Sequence, residues 1–406
     1  MKKFLRILLL GSMISLTLAC VYDYEADWEG GASYVVVEGD IQAGGITTVS
    51  FSRDGHYSRF TASVEGEDGT VVEAPAAAAG TISLDTRQLN PDIRYRLRIH
   101  ELENGLHYAS SWQDVQPAPV IDSLGYRIEG ERMELCATFH SDGPTPYYCL
   151  SYDEEWEYLS YAVSYYRYYP PGAGIPDGGR ELFPDPDSGL GDRYGRIFRF
   201  EEPSSNHVCW QYSATGQSSV VTTGAMASNK MVDYAFKTLG REDVRLSVKY
   251  RVMVSLRMIS EASYTYWESI EQTSGQTGDL FSPIPNLQRG NIVCEEEPDA
   301  LVLGYIGASA WARDELWIDR NEVLFYREPA SVTAMLEREA IGLTEPHGVP
   351  ESQMHYWYDS GYRPWRRISP ESGGSGPETY YVWIPERCLD CTTQGGSVTK
   401  PAGWPD

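Results

Sequence analysis

No apolar run in this sequence is long enough to cross a membrane as a helix. The longest, Phe4–Leu18, falls short of the roughly 20 residues that a bilayer core requires. Basic side chains are scarce as well, 33 against 58 acidic ones, giving a formal net charge of −25. So acidic a body is repelled by phosphate backbones and anionic head groups, which excludes nucleic acid as a partner and basic-patch docking on membranes. Catalytic motifs are missing too: there is no G-x-S-x-G elbow, no H-E-x-x-H and no G-x-x-x-x-G-K-[ST] loop. The seven histidines (His56, His100, His107, His140, His207, His347, His355) are scattered. The lone C-x-x-C at Cys388–Cys391 has neither a second such pair nor a close histidine pair to complete a zinc site. The expectation is a non-enzymatic protein without cofactor or metal.

What is present begins at the N-terminus. Lys2, Lys3 and Arg6 form a basic start, the apolar run follows, and Leu16-Thr17-Leu18-Ala19-Cys20 closes it with a small residue before a cysteine. That order is a signal peptide, residues 1–19, ending in a lipobox whose Cys20 thiol is acylated. An ordinary signal peptide with an incidental cysteine is the alternative. Two or three acyl chains anchor firmly where one binds only marginally. Cleavage removes three basic residues and leaves 30 against 58 acidic ones, a net of −28. Residues 20–32 read as an acidic tether carrying Asp23, Glu25, Asp27 and Glu29. The other cysteines are Cys136, Cys149, Cys209, Cys294, Cys388 and Cys391. An even number in an exported chain predicts up to three disulfides, with the pairing open and the C-terminal pair serving as a staple.

The mature length exceeds what one core usually serves, and Gln116-Pro117-Ala118-Pro119 is the strongest break. Before it, Tyr34–Val37, Thr47–Phe51, Thr81–Leu84 and Ile93–Ile99 read as short strands between turns. Leu89-Asn90-Pro91 followed by Tyr95 resembles the tyrosine corner of immunoglobulin-like and fibronectin type III sandwiches. A mostly β fold is predicted: such a sandwich over 33–118, then a larger β-rich domain over 119–406 with one or two helices. Strict alternation from Val244 to Met258 predicts one long strand with a buried face. Ser260 is placed to cap a helix that runs to near Gly275, and a second helix is predicted from Ser331 to Ala340. The proline- and glycine-rich segment 342–377 reads as a long loop.

Candidate sites are few. Asp185–Asp192 spaces oxygen ligands and glycines as a calcium loop does, but lacks the closing bidentate glutamate, so calcium is the weaker reading there. Asp153-Glu154-Glu155 and Glu295-Glu296-Glu297 hold the carboxylates that a glycosidase needs, though neighbouring acids are more often simple surface charge. Aromatic residues are richer ground. One stretch runs from Tyr147 to Tyr169; the other holds Tyr356, Trp357, Tyr358, Trp365, Arg366 and Arg367. Aromatic rings with arginines are enriched at interface hot spots, which makes the second stretch the expected binding surface; edge packing is the alternative.

Several landmarks recur in order: Tyr34–Ile41, Pro119–Leu124, Glu261–Trp267, Gly278–Phe281, Gly290–Val293, Leu303–Ser309 and Cys388–Cys391 with Trp404. Together they resemble the domain-of-unknown-function family 4249 (DUF4249), lipoproteins of Bacteroidetes. The acidic run after Cys20 is similar to the signal that sends such lipoproteins to the outer face of the outer membrane. The resemblance implies a surface-exposed lipoprotein working with a TonB-dependent receptor, in ligand capture or receptor capping, and brings no catalytic residues. A carboxylate-dependent glycan or peptide hydrolase and a structural or adhesive envelope protein stand as alternatives.

Overall fold

The computed structural model describes residues 33–183, 189–203, 205–274, 288–343, 348–368 and 380–405. Cys20, the tether and residues 185–188 of the Asp185–Asp192 segment lie outside these residues. The fold is mostly β, in several sheets, with helices between and beside them.

Alternating burial builds the first sheet. Tyr34–Gly39, Ile46–Arg53, Arg59–Gly66, Ala78–Asp85 and Arg94–Glu101 turn every second side chain inward, placing Val35, Val37, Phe51, Phe60, Leu84 and Ile99 in one core. The strand Ala78–Asp85 changes partner along its length. Its first two residues pair with Arg59–Gly66 and the rest with Ile46–Arg53, and Gly80, at φ +88°, sits at the change. Only glycine enters that backbone region without strain, so the corner falls there. The Tyr95 ring is fully buried and its hydroxyl accepts the Asn90 backbone N–H at 2.8 Å, the bond that a tyrosine corner makes.

Residues 33–118 do not complete this sheet alone. Leu301–Leu303 pairs parallel to Tyr34–Gly39, and Ile292–Cys294 pairs antiparallel to Leu106–Ser110. The boundary expected at the proline-rich break therefore separates chain segments but not sheets, because pairing of distant strands leaves no local mark. Tight backbone approach holds the join: at Gly304, φ +110°, a Cβ would lie 1.9 Å from the Val37 carbonyl oxygen.

The central sheet has the order Val208–Thr222, Tyr147–Leu159, Lys249–Met258, Ala308–Asp319 and Ile41–Ala43. A three-stranded sheet of Val120–Glu129, Arg132–His140 and Lys230–Gly240 contributes to the same core through Met133, Leu135 and Phe139, beside Tyr148, Tyr250 and Val252. The strand predicted from Val244 is shorter than its alternation suggested. Asp243 accepts the Arg245 backbone N–H at 3.1 Å and starts a 3-10 turn, Val244–Leu246, before the strand Lys249–Met258. A local side-chain bond competes with the ladder there and wins.

Both predicted helices are present. The first spans Glu261–Ser274, with the Ser260 hydroxyl accepting the Ser263 N–H at 3.2 Å, and the second spans Ala330–Glu339. The first packs in part through Tyr266, which is buried and whose hydroxyl accepts the Gly304 N–H at 2.9 Å. No described helix is long and apolar enough to cross a membrane.

The loop expected over 342–377 is corrected for residues 348–368; residues 344–347 and 369–377 lie outside the described residues. Pro350 opens a helix, Glu351–Asp359, and Tyr362–Ile368 pairs with Tyr380–Pro385. Both elements are too short to show a clear period, so turn-forming residues dominated the reading. The disulfide expectation is also narrowed. Cys209 and Cys391 are bridged, which staples the C-terminal segment to the central sheet. Cys136, Cys149, Cys294 and Cys388 are buried thiols, so Cys388 does not share in a bridge.

Candidate functional site

The first aromatic stretch is mainly core. Tyr148, Tyr152, Trp156, Tyr158 and Tyr168 are buried, while Tyr161 and Tyr165 keep about two-fifths of their surface exposed (40% and 41%). The second stretch divides. Trp357 packs edge-on to Tyr362 with centroids 5.1 Å apart, and Tyr358 lies 5.2 Å from the Tyr168 ring. Trp365 is half-buried against the small core of Leu336, Ile384 and Leu389. Tyr356, at 65% exposure, faces outward together with Arg366 and Arg367. The Arg366 guanidinium lies 4.4 Å from the Trp365 ring centroid.

The acidic runs do not form facing pairs. Along the strand Tyr147–Leu159, Glu154 turns inward and is fully buried, while Asp153 and Glu155 lie on the other face. Glu154 meets Arg245 at 2.9 Å and accepts the Tyr250 hydroxyl at 2.7 Å. Glu296 accepts the His107 backbone N–H at 2.8 Å and meets its Nδ1 at 2.6 Å, and these bonds hold its carboxyl down at about 2. Glu295 pairs with Arg98 at 2.5 Å.

A cleft of about 560 Å³ opens where the strand Tyr147–Leu159 ends. Tyr158 to Val163 form one wall, Glu242, Val244 and Ser247 the next, and Arg320, Tyr326, Glu328 and Val332 face them, with Gln211 and Gln394 nearby. Its volume lies in the range of small-molecule sites, about 300–1,000 Å³. Local bonds set each wall. The Ser160 hydroxyl donates to the Ala162 carbonyl at 2.7 Å, tightening the turn that presents Tyr161. The Tyr158 hydroxyl donates to the Cys391 carbonyl at 2.9 Å, and the disulfide at Cys391 holds the segment carrying Gln394. Asp319 caps the short helix Arg320–Val323, accepting the Asn321 N–H at 2.8 Å. Arg320 then donates to the Ser247 carbonyl at 3.1 Å and lies 5.0 Å from the Tyr326 ring centroid.

The polar groups of the cleft are unevenly satisfied. The Tyr326 hydroxyl donates to Glu328 at 3.0 Å; burial, and then that carboxylate, push the phenol well above its usual range. Glu242 takes a bond from Arg327 at 2.9 Å. The Ser247 side chain, only 6% exposed, has its hydroxyl without a hydrogen-bond partner, and so does the Gln394 side-chain nitrogen. Buried polar groups are normally paired, so two unpaired ones in residues that line one cleft call for an explanation.

Sequence reasoning reached this cleft only through Tyr158 and Tyr161. Ser247, Arg320, Tyr326 and Gln394 come from separate elements, and nothing local in the sequence joins them. Among the described residues no group of three or more His, Cys, Asp or Glu is placed to hold a metal.

The fold and cleft define a multi-sheet β protein with helices beside its sheets and a cleft lined by polar and aromatic side chains. The chain belongs to the family described as Domain of unknown function (DUF4249), whose family model matches residues 21–315. That span includes the Tyr158–Val163 and Glu242–Ser247 walls, whereas Arg320, Tyr326 and Gln394 lie beyond it. No curated protein matches the chain.

Proposed function

We propose that this protein is a surface-exposed outer-membrane lipoprotein, anchored through acylated Cys20, that assists a TonB-dependent transporter without catalysis. Its task in this reading is to capture a ligand in the cleft, or to cap the receptor through the outward set Tyr356, Arg366 and Arg367. The cleft carries the reading: it is ligand-sized, carries tyrosines in its lining, and includes Ser247, whose buried hydroxyl has no partner. The signal-peptide order ending at Cys20 and the family resemblance support the location and the partner.

One observation favours the hydrolase alternative, since Glu242 and Glu328 both line the cleft. Each already takes a hydrogen bond from a neighbour, which leaves binding the better reading. Detergent-solubilised pull-down from native membranes, with mass spectrometry, tests the proposal. An outer-membrane receptor should co-purify with the wild type, and Cys20→Ser should leave the membrane and take up no acyl label. A serine variant that stays membrane-bound, or a wild type that brings down no receptor, overturns it.

A further inference from the structure

We propose that the cleft takes an uncharged, hydroxyl-rich ligand, a stretch of neutral oligosaccharide. This rests on the ligand-capture reading and names the chemistry of what is captured. Charge balance is the first reason. Glu242 and Glu328 are offset by Arg327, paired to Glu242, and by Arg320, which lies against Tyr326. A strongly anionic ligand would meet two carboxylates with one engaged guanidinium for compensation. A cationic one would compete with Arg327 for Glu242 and with the Tyr326 hydroxyl for Glu328.

The polar inventory is the second reason. A sugar hydroxyl both donates and accepts, and the cleft offers both kinds of partner: the hydroxyl of Ser247, the amides of Gln211 and Gln394, and the free lone pairs of two carboxylates. A wholly apolar ligand would cover the carboxylates of Glu242 and Glu328 and the guanidinium of Arg320 without bonding them, at a cost that disfavours it. Apolar surface is the third reason. Tyr161, Leu159 and Val244 remain 40–44% exposed around the cleft, a flat ring beside aliphatic groups. The C–H faces of a pyranose match such a surface while its hydroxyls meet the polar side chains of the lining.

The test titrates the mature chain with neutral maltohexaose, laminarihexaose and xylohexaose, with anionic hexagalacturonate, and with cationic deacetylated chitohexaose, by calorimetry. At least one neutral hexamer should bind in the micromolar to millimolar range. Tyr161→Ala and Gln394→Ala should each weaken it about tenfold, the loss expected of a principal contact. Ser247→Ala should weaken it severalfold while melting at or above the wild-type temperature, because the lost hydroxyl has no partner in the fold. Binding of no neutral hexamer, preference for a charged one, or unchanged affinity in the Tyr161 and Gln394 variants overturns the proposal. Receptor co-purification, measured in parallel, separates the two claims. Lost sugar binding with the receptor retained refutes only the ligand class, and a missing receptor with sugar binding intact refutes only the transporter role.

Discussion

Arg257 and Asp40 form an ion pair, Nε to Oδ2 at 2.7 Å, with both side chains more than nine-tenths buried. Asp40 sits between Tyr34–Gly39 of the first sheet and Ile41–Ala43 of the central one, and Arg257 lies in the central strand Lys249–Met258. The second carboxylate oxygen accepts the Gly307 N–H at 2.6 Å, and the Trp311 ring centroid is 4.8 Å from the guanidinium. The pair thus fixes the point at which the chain passes from one sheet to the other. Burial pushes the Asp40 carboxyl up and the Arg257 charge opposes it.

Breaking one half of this pair should be far worse than replacing both halves. Arg257→Met should cost about 3–5 kcal/mol in urea unfolding, since it strands a buried carboxyl, and Asp40→Asn with Arg257→Met should recover much of the loss. A double variant no more stable than the single one would show that the guanidinium acts through packing instead.

The Tyr95 hydroxyl supports the turn after Leu89 through the Asn90 N–H alone among the described bonds. Tyr95→Phe keeps the buried ring and removes that acceptor. It should destabilise by about 0.5–1.5 kcal/mol, the net worth of a typical hydrogen bond, with the native spectrum retained. Wild-type stability would mean that the corner bond contributes nothing.

That corner was legible in the sequence, because its determinants lie within seven residues, as were the alternating strands and the helix begun by Ser260. The partners of Gly304 and Asp40 were not. A parallel pairing such as Tyr34 with Leu301 depends on contacts hundreds of residues apart, and no local pattern encodes it. The cleft failed to show for the same reason: its unpartnered serine occupies a position that alternation alone assigns to a strand face. Over 348–368 the turn-forming residues pointed the other way, since Pro350 and Gly361 punctuate real elements there and do not fill a loop.

Glu296 gives a pH signature. Its folded carboxyl is held down at about 2 by the His107 backbone and ring, against an ordinary value near 4.3. Its contribution is therefore complete above the unfolded value and is lost as pH falls towards 2. Melting curves of wild type and Glu296→Gln should be separated at pH 7 and converge by about pH 2. A separation that persists unchanged across the acid range would contradict this origin.

Peptide mapping under non-reducing conditions should recover Cys209 joined to Cys391. Cys388 is 1% exposed, and burial pushes its thiol up, so it should alkylate only after unfolding. Rapid labelling of Cys388 in the native protein, or a Cys388–Cys391 bridge, would reassign the staple.

The exposed set on the helix Glu351–Asp359 and the strand Tyr362–Ile368 separates binding from folding. Trp357 packs on Tyr362 within the small core of Tyr168, Met354 and Trp383, so Trp357→Ala should cost about 1–3 kcal/mol of stability. Tyr356 and Arg366 face outward, and removing them should change stability by no more than about 0.5 kcal/mol. If this face meets a receptor, Tyr356→Ala with Arg366→Ala should melt as the wild type does and yet lose most receptor co-purification, because aromatic and arginine anchors dominate such interfaces. Comparing the two variants removes the usual ambiguity of a binding defect. A fall in melting temperature for the outward pair would place both side chains in the fold, and wild-type co-purification would move the partner surface elsewhere on the protein.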